Sequence, residues 1–343
     1  MNSTDRAPSR YGPGRPRATA GSHSTTRPRG ARWFTVAAAA WLVCAAAMLG
    51  PAPARAAPLH SGYTELVVPS TMGPIRVQVQ WARHGGSAAL YLLDGMRARD
   101  DANGWAVYTN ALRQFAQDNI TVVMPVGGES SFYTDWSAPS STNGQKTTYK
   151  WETFLTEELP AYLARFGVSP HHDAILGLSM SAAPALSLAV HHRQQFTFAG
   201  ALSGFFDLQD PTTQAELRLA MHEVGNFDID SMWPPHSPAW QRNDPTTFAP
   251  QLRGLSLFIA CGSGIPDATD LADTATAADA VAGIGLELLA NQSTRAFQGR
   301  LTSVGVPAVW DLPRTGTHTW PDWQRELANA RPYILAATRA QRG

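Results

Sequence analysis

The sequence of 343 residues contains only two cysteines, Cys44 and Cys261. Cys44 lies in an amino-terminal segment that we expect to be removed, so the mature chain keeps one thiol and cannot form an intrachain disulfide. Its stability must therefore come from a buried core, which the 287 residues after Ala56 are long enough to form.

Metal-ligand spacing is absent from the sequence as well. The histidine pairs His171-His172 and His191-His192 are adjacent residues, which we interpret as solvated ends of secondary-structure elements. No nucleotide or flavin motif is present. We therefore expect neither a bound metal nor a cofactor.

Charged residues make up only 16% of the chain, and Lys plus Arg equal Asp plus Glu at 27 each. The balance is uneven, because the first 56 residues contain eight arginines and a single acid, Asp5. The remaining body carries a net charge of −7. Since nucleic acids and anionic membrane surfaces attract clustered cations, we expect no nucleic-acid partner and no electrostatic binding to anionic headgroups.

One long apolar run is present, over residues 33–50, and it holds no charge. It is followed by a segment that ends in Ala54-Arg55-Ala56, the small-x-small pattern of a cleavage site. Residues 1–56 are therefore predicted to be a signal peptide with a long arginine-rich start, cleaved after Ala56, and the body to be secreted or in the cell envelope. The alternative is an uncleaved membrane anchor, because the run approaches the ~20 residues that span a bilayer.

The body, residues 57–343, is predicted to form a single α/β domain. Apolar or alternating runs bounded by Gly and Pro predict strands at 65–68, 75–81, 88–93, 120–125, 174–178, 198–202, 255–261 and 308–312. Helical patterns predict helices at 104–117, 151–166, 180–191, 280–298 and 321–337. This alternation favours a mostly parallel central sheet with helices on both faces. The less regular segment 211–250 is interpreted as an insertion over one end of the sheet, where insertions commonly shape substrate pockets.

Ser179 is the candidate nucleophile, because Gly177-Leu-Ser179-Met-Ser181 joins a predicted strand to a predicted helix. A sharp turn at this junction, with small residues on either side, is the nucleophile elbow of serine hydrolases. The alternative is a serine that caps a helix. A serine hydroxyl needs a base, and His318 is the histidine that follows the last strand and precedes the last helix.

The acid partner of His318 is left open by spacing alone. Asp267 and Asp270 follow the strand that ends at Cys261, whereas Glu287 lies inside a predicted helix, where a solvated face is the ordinary expectation. An oxyanion hole needs two backbone N–H groups, and the candidates are Met180, directly after the serine, and Met96, after an earlier strand.

These segments are part of longer strings that resemble the mycolyltransferases of the antigen 85 complex, a family of secreted acyltransferases. The resemblance runs from about Leu66 to Tyr333. Its strings include residues 92–98, 122–128, 130–133, 149–156, 177–180, 238–245 and 316–318. The resemblance implies an α/β-hydrolase fold with Ser179 as nucleophile, His318 as base and Glu287 as acid.

The resemblance also implies the substrate. The family moves a mycolyl chain from one trehalose monomycolate to another, which gives trehalose dimycolate, or to cell-wall arabinogalactan. The partners implied here are trehalose mycolates or related glycolipid esters and, as a further acceptor, arabinogalactan. The family's sugar contacts map onto four residues, which are Asp94, Arg97, Asp207 and Trp320.

Of three departures from the family, the first two bear on the substrate and the third removes only a local cross-link. Tyr108 stands where the family usually has an asparagine near the sugar, Ala296 takes a lysine position, and the loop 137–147 lacks a pair of cysteines. Two alternative functions therefore stay open: a secreted carboxylesterase that prefers water as the acceptor, and an envelope binding protein of the fibronectin-binding kind.

Overall fold

The computed structural model describes residues 60–273 and 276–340. The predicted signal peptide and its cleavage point at Ala56 lie outside the described residues. Among the helices of the described residues, none is both long enough and apolar enough to cross a bilayer.

Eight strands form one sheet, in agreement with the eight that the sequence predicts. They are β1 Tyr63–Val68, β2 Ile75–Gln80, β3 Ala89–Leu93, β4 Thr121–Pro125, β5 Asp173–Leu178, β6 Phe196–Leu202, β7 Ser256–Ala260 and β8 Val309–Asp311. The spatial order is β1-β2-β4-β3-β5-β6-β7-β8. β2 runs antiparallel to both its neighbours, and the other five neighbouring pairs are parallel.

The central strands are buried over their full length, whereas the edge strand β1 alternates between exposed and buried residues. This follows from the layers that cover the sheet. In β3, Tyr91 and Leu93 join one hydrophobic cluster, while Leu90 and Leu92 join another on the opposite face. A strand covered on both faces must be apolar at every position, as the predicted mostly parallel sheet requires.

Twelve helices are found among the described residues. They are α1 Gly104–Tyr108, α2 Ala111–Phe115, α3 Trp151–Thr153, α4 Leu159–Leu163, α5 Ala182–His191, α6 Pro211–Gly225, α7 Ile229–Met232, α8 Pro238–Arg242, α9 Pro245–Phe248, α10 Ala268–Asp273, α11 Ala277–Ser303 and α12 Trp320–Ala337. A π-helical turn at Phe154–Glu158 joins α3 to α4, and 3₁₀ turns lie at Ala164–Phe166, Ser179–Ser181 and Ala249–Leu252.

The predicted helix 104–117 is wrong in one respect, because the structure has two short helices there. The chain turns extended at Thr109, with φ −131° and ψ 175°. The Thr109 hydroxyl donates back to the carbonyl of Trp105, which closes the first helix. The break ends α1 at Tyr108.

The segment 211–250 is more regular than predicted, since it begins with the fifteen-residue helix α6. Only Leu217 and Met221 of this helix are buried, so its amphipathic pattern is weak. Its ends carry a clearer signal: the Asp210 carboxylate accepts the Thr213 N–H at 2.8 Å, and Asn226 adopts a left-handed conformation after the last turn. The insertion follows β6, at the carboxyl edge of the sheet.

Candidate active site

Ser179 directly follows β5 and lies in a sharp turn, with φ +51°. A left-handed conformation at a residue with a side chain costs about 1–3 kcal/mol and persists only when its surroundings hold it. The packing around Gly177 does so, because a Cβ there would lie 2.1 Å from the Ser181 carbonyl oxygen. The Ser181 hydroxyl accepts the Leu178 N–H at 2.9 Å, which closes the turn from the other side.

Ser179, His318 and Glu287 form a continuous chain of hydrogen bonds. Ser179 Oγ lies 2.8 Å from His318 Nε2, and His318 Nδ1 lies 2.7 Å from Glu287 Oε2. A carboxylate can only accept, so Nδ1 carries the ring proton and Nε2 is left to accept from the serine hydroxyl. The arrangement can therefore take a proton from Ser179 and hold it on the imidazole. Ser179 does not act as a helix cap, since its hydroxyl is directed to His318.

Glu287 is fully buried on the inner face of α11. Its second oxygen, Oε1, accepts the Gly262 N–H at 2.6 Å, the Ser203 hydroxyl at 2.8 Å and the Cys261 thiol at 3.2 Å. The expectation of a solvated helix face at this position is wrong. A buried carboxylate is tolerated when donors surround it, and here three donors and the imidazole do so.

The Cys261 thiol is held in its donating form. Burial is the main cause that raises the pKa of Cys261, and the negative charge of Glu287 raises it further. The thiol is fully buried and keeps its proton. It therefore serves Glu287 as a weak hydrogen-bond donor rather than as a competing nucleophile.

Ser203 and Trp323 belong to this network and were not found from the sequence. The Trp323 indole N–H donates to Ser203 Oγ at 3.0 Å, and the Ser203 hydroxyl donates to Glu287. The Trp323 ring also meets the His318 ring edge-on at a centroid distance of 5.0 Å. The available sequence signal for Ser203 was its place directly after β6, at the edge of the sheet where Ser179 follows β5.

Asp270 holds the loop that carries His318, rather than the imidazole itself. Thr319 Oγ lies 3.0 Å from Asp270 Oδ1 and 3.2 Å from Asp322 Oδ2. One hydroxyl proton fully satisfies only one of these acceptors, so a proton on Asp322 would allow the second contact to be a full hydrogen bond. Burial, followed by the neighbouring Asp270, raises the pKa of Asp322 to about 6. Asp322 Oδ2 also accepts the Thr317 N–H at 2.7 Å, which fixes the other side of His318.

Asp267, the other aspartate that spacing left open as the acid, makes no hydrogen bond to the imidazole among the described residues. Its backbone N–H donates to Asp270 Oδ2 at 2.9 Å, and its carboxylate accepts the N–H groups of Thr269 and Asp270. Asp267 therefore shapes the turn that positions Asp270, and the carboxylate at His318 Nδ1 belongs to Glu287.

Both candidate oxyanion donors lie near Ser179. Met180 is the middle residue of the 3₁₀ turn Ser179–Ser181. Met96 follows Gly95, where an added Cβ would stand 4.0 Å from the Ser179 Cβ, so this loop borders the serine. The Met96 carbonyl accepts the Ser130 N–H at 3.0 Å, and no acceptor among the described residues takes the Met96 N–H. A free N–H group beside the serine is what a developing oxyanion needs.

Asp94 and Trp320 come together around Gly104. A Cβ on Gly104 would lie 2.4 Å from the Trp320 ring and 2.9 Å from Asp94 Oδ1. Asp94 is 4% exposed and accepts the N–H groups of Gly95 at 2.8 Å and Gly104 at 2.6 Å. Burial raises the pKa of Asp94, while these two bonds oppose the rise. Asp94 and Trp320 therefore form one wall of the site. This wall begins at Gly95, beside Ser179, and extends past Asp94 to Trp320.

Arg97 and Asp207 are exposed and stand apart from the hydrogen-bonded network of the triad. Within the described ranges, the Arg97 guanidinium makes no hydrogen bond or ion pair, and Asp207 accepts only a weak contact from the Asp210 N–H at 3.2 Å. Burial, followed by the charge of Asp244, raises the pKa of Asp207. In residues 60–273 and 276–340 no three His, Cys, Asp or Glu side chains are grouped to hold a metal.

Known proteins have sequences similar to that of this chain. A family model described as "Putative esterase" matches residues 69–334. Diacylglycerol acyltransferase/mycolyltransferase Ag85C of Mycobacterium avium is 42% identical over 275 residues, which are 79% of this chain and 75% of that protein. Ag85A of Mycobacterium gordonae is 43% identical over 263 residues, 75% of this chain and 76% of that protein.

Solved structures agree with the sequence relatives. The crystal structure of Mycobacterium tuberculosis MPT51 (FbpC1) superposes with a TM-score of 0.69 at 29% identity and covers 82% of this chain and all of that chain. The serine hydrolase FphF of Staphylococcus aureus, at 18% identity and a TM-score of 0.61, covers 80% of this chain and 99% of that chain and supports the fold alone. The predicted α/β-hydrolase fold is therefore confirmed. The chain belongs to the esterase family and, within it, to the antigen 85 mycolyltransferases.

Proposed function

We propose that the protein is an acyltransferase that moves a mycolyl group from a trehalose mycolate to the hydroxyl of a second sugar. The observation that carries this proposal is the unbroken chain of hydrogen bonds from Ser179 through His318 to Glu287. The relatives, which are 40–43% identical over most of this chain, are named as mycolyltransferases, which supports a mycolyl group as the acyl group. The sugar rests on the resemblance to the antigen 85 family.

The first half of the reaction makes an acyl-enzyme. Ser179 Oγ attacks the ester carbonyl carbon, and its proton passes to His318 Nε2. The N–H groups of Met96 and Met180 donate to the carbonyl oxygen as it becomes negative. When the C–O bond to trehalose breaks, His318 returns the proton to the departing sugar oxygen. The mycolyl group is then esterified to Ser179.

The second half reverses these steps with a new sugar. An acceptor hydroxyl loses its proton to His318 Nε2 and attacks the acyl carbon, after which the Ser179 ester bond breaks and Ser179 regains the proton. Glu287 keeps the imidazole in the required tautomer and stabilises it while it is positively charged. Its burial among three donors keeps its own geometry constant through both halves.

The sugar is placed by Asp94, Arg97, Asp207 and Trp320 in this proposal. Carboxylates and a guanidinium can bind neighbouring hydroxyls, and an indole face can cover the apolar face of a sugar ring. The wall formed by Asp94 and Trp320 supports the proposal best, because it begins beside Ser179. The two exposed residues would contact the outer part of the sugar. Arabinogalactan is the second acceptor that the family suggests.

Export is part of the same proposal, because the donors are lipids of the cell envelope. Amino-terminal sequencing of the protein from culture fluid or from the cell envelope tests it. We expect the mature chain to begin at Ala57. A mature chain that retains residues 33–50 would instead favour the membrane anchor.

Incubation with trehalose monomycolate tests the transferase directly. We expect trehalose dimycolate and free trehalose, measured by mass spectrometry, from the native protein and neither from Ser179→Ala. Ser61→Ala is the matched control, since it removes the hydroxyl of an exposed serine and leaves the turn at Ser179 unchanged. Free mycolic acid without any dimycolate would contradict the transferase and identify a carboxylesterase. A fluorophosphonate probe that fails to label Ser179 would favour a binding protein.

A further inference from the structure

Tyr108 lies over the Trp320 side chain at the outer end of the wall described above. The two ring centroids are 5.2 Å apart and the ring planes are inclined by 30°, close to an offset stack. Trp320 meets Trp105 and Trp323 edge-on, with interplanar angles of 82° and 90°. Tyr108 therefore packs against the indole that was expected to contact the sugar, and Tyr108 itself remains 48% exposed.

The backbone that carries Tyr108 is held firmly. Asn103 caps α1 by accepting the Trp105 N–H at 3.0 Å, and its side-chain amide donates to the carbonyl of Pro125 at 2.8 Å. The Trp105 indole N–H donates to the carbonyl of Leu93 at 2.9 Å, which ties the helix to the end of β3. A ring on such a support loses little conformational freedom when a ligand packs against it.

The Tyr108 hydroxyl is held as well. Arg99 Nη1 donates to it at 3.2 Å, and Arg99 Nε donates to Asp101 Oδ1 at 2.6 Å. An exposed apolar ring face is thus bordered by a guanidinium and a carboxylate, both at the surface. Pyranose rings present this same combination, with C–H groups on the ring face and hydroxyls around the rim. An acyl chain would gain nothing from the charged border and would desolvate it.

We propose that Tyr108 determines acceptor specificity by packing against the C–H face of a pyranose ring whose hydroxyls bond to Arg99 and Asp101. The proposal rests on the function proposed above and names the residue that favours a sugar over water or a small alcohol as the acceptor. The sugar enters along the wall that leads from Gly95 and Asp94 past Trp320, so its outer ring reaches Tyr108 while a hydroxyl of the inner ring reaches Ser179.

The experiment uses a p-nitrophenyl ester as the acyl donor and compares trehalose with water as the acceptor. We expect Tyr108→Ala to raise the KM for trehalose at least fivefold. The fold-change in this KM should be at least four times the fold-change in the rate of p-nitrophenol release without sugar. Tyr108→Phe should stay within threefold of the native KM, because it keeps the ring. Tyr333→Ala is the matched control. Tyr333 is 41% exposed and its ring centroid lies 5.9 Å from that of Phe258. It lies about 20 Å beyond Trp320 along α12.

Three results would overturn the proposal. The KM for trehalose could be unchanged in Tyr108→Ala, p-nitrophenol release could fall in the same proportion, or the effect could depend on the length of the donor acyl chain instead. A native enzyme that releases p-nitrophenol but never acylates trehalose would overturn the transferase function instead. Calorimetric titration of Ser179→Ala with trehalose separates the two cases, since adding Tyr108→Ala should weaken binding at least fivefold whatever the acyl acceptor is.

Discussion

The two sides of the site differ in how tightly they are built. On the side of the base, His318 has 8% of its side chain exposed, Glu287 has 1%, and both Glu287 oxygens are fully engaged. On the side of the sugar, Asp94 is buried, but Arg97 and Asp207 are exposed and Tyr108 is nearly half exposed. The buried side can perform one proton transfer for any ester. The exposed side can change its sugar without disturbing that chemistry.

One departure from the family, Tyr108, lies on the exposed side of this comparison. A substitution there alters a contact with substrate and leaves the backbone turns at Ser179 and Ser203 untouched. A substitution on the buried side leaves donors or acceptors unpaired in the protein interior, which costs about 1–3 kcal/mol for each group. The following predictions test whether the two sides are as independent as this implies.

The largest effect is expected for Glu287→Gln. The amide has the same shape but no charge. Its NH₂ group cannot accept the hydrogen bonds that Gly262 and Ser203 donate to Glu287. The imidazole therefore loses both its orientation and its stabilising charge. We expect kcat for acyl transfer to fall by about 10³–10⁴-fold with little change in the KM for trehalose. Asp270→Asn serves as the control and should lose less than tenfold. An equal loss in Asp270→Asn or Asp267→Asn would make an aspartate the acid partner.

A smaller effect is expected on the buried side, where Asp322→Asn should change how the free energy of unfolding depends on pH. Because the folded protein raises the pKa of Asp322 to about 6, the folded state keeps a proton that the unfolded chain loses near pH 4. This contribution is fully present below pH 4 and is lost as the pH rises through 6. The native protein should therefore lose stability relative to Asp322→Asn between pH 4 and 6, with no further change above pH 7.

Urea unfolding at a series of pH values measures this difference. The charged groups around Asp322 are Asp270, which favours its protonation, and Arg325, which opposes it. Glu223→Gln, at an exposed position in α6, is the control and should follow the native profile. Parallel profiles for the native protein and Asp322→Asn would show that the contacts around Thr319 involve no shared proton.

The smallest effect is expected on the exposed side, for Arg97→Ala. A hydrogen bond from a solvated guanidinium to a sugar hydroxyl contributes about 0.5–1 kcal/mol, so the KM for trehalose should rise about two- to fivefold at constant kcat. Arg113→Ala, an exposed arginine in α2, should leave both constants unchanged. A fall in kcat would place Arg97 in the chemical step and weaken the division between the two sides.

The sequence was sufficient for the sheet and for the turn at Ser179, because both depend on local patterns. Strands buried on both faces are continuous apolar runs, and the turn needs small residues at Gly177 and Ser181. The helix α6 was missed, since a helix with two buried residues has almost no amphipathic pattern. Its Asp210 cap was the readable signal.

The acid partner could not be derived from pattern, because α11 reverses the usual rule. Val281 and Leu288 on this helix are 69% and 52% exposed, whereas Glu287 is fully buried. Hydrophobic periodicity therefore placed the carboxylate on the wrong face. Only the family resemblance selected Glu287. Ser203, after β6, and Trp323, in α12, are joined by a hydrogen bond although they are 120 residues apart in the sequence. No local sequence pattern encodes such a pairing.

The most direct test of the whole account is mass spectrometry of the protein, intact and after digestion, during turnover of trehalose monomycolate. A rapid quench should show a mycolyl adduct on the peptide that contains Ser179, and addition of more trehalose monomycolate as the acceptor should remove it while an equal amount of trehalose dimycolate forms. An adduct that trehalose monomycolate does not discharge, or dimycolate formed without any adduct on Ser179, would contradict acyl transfer through this residue.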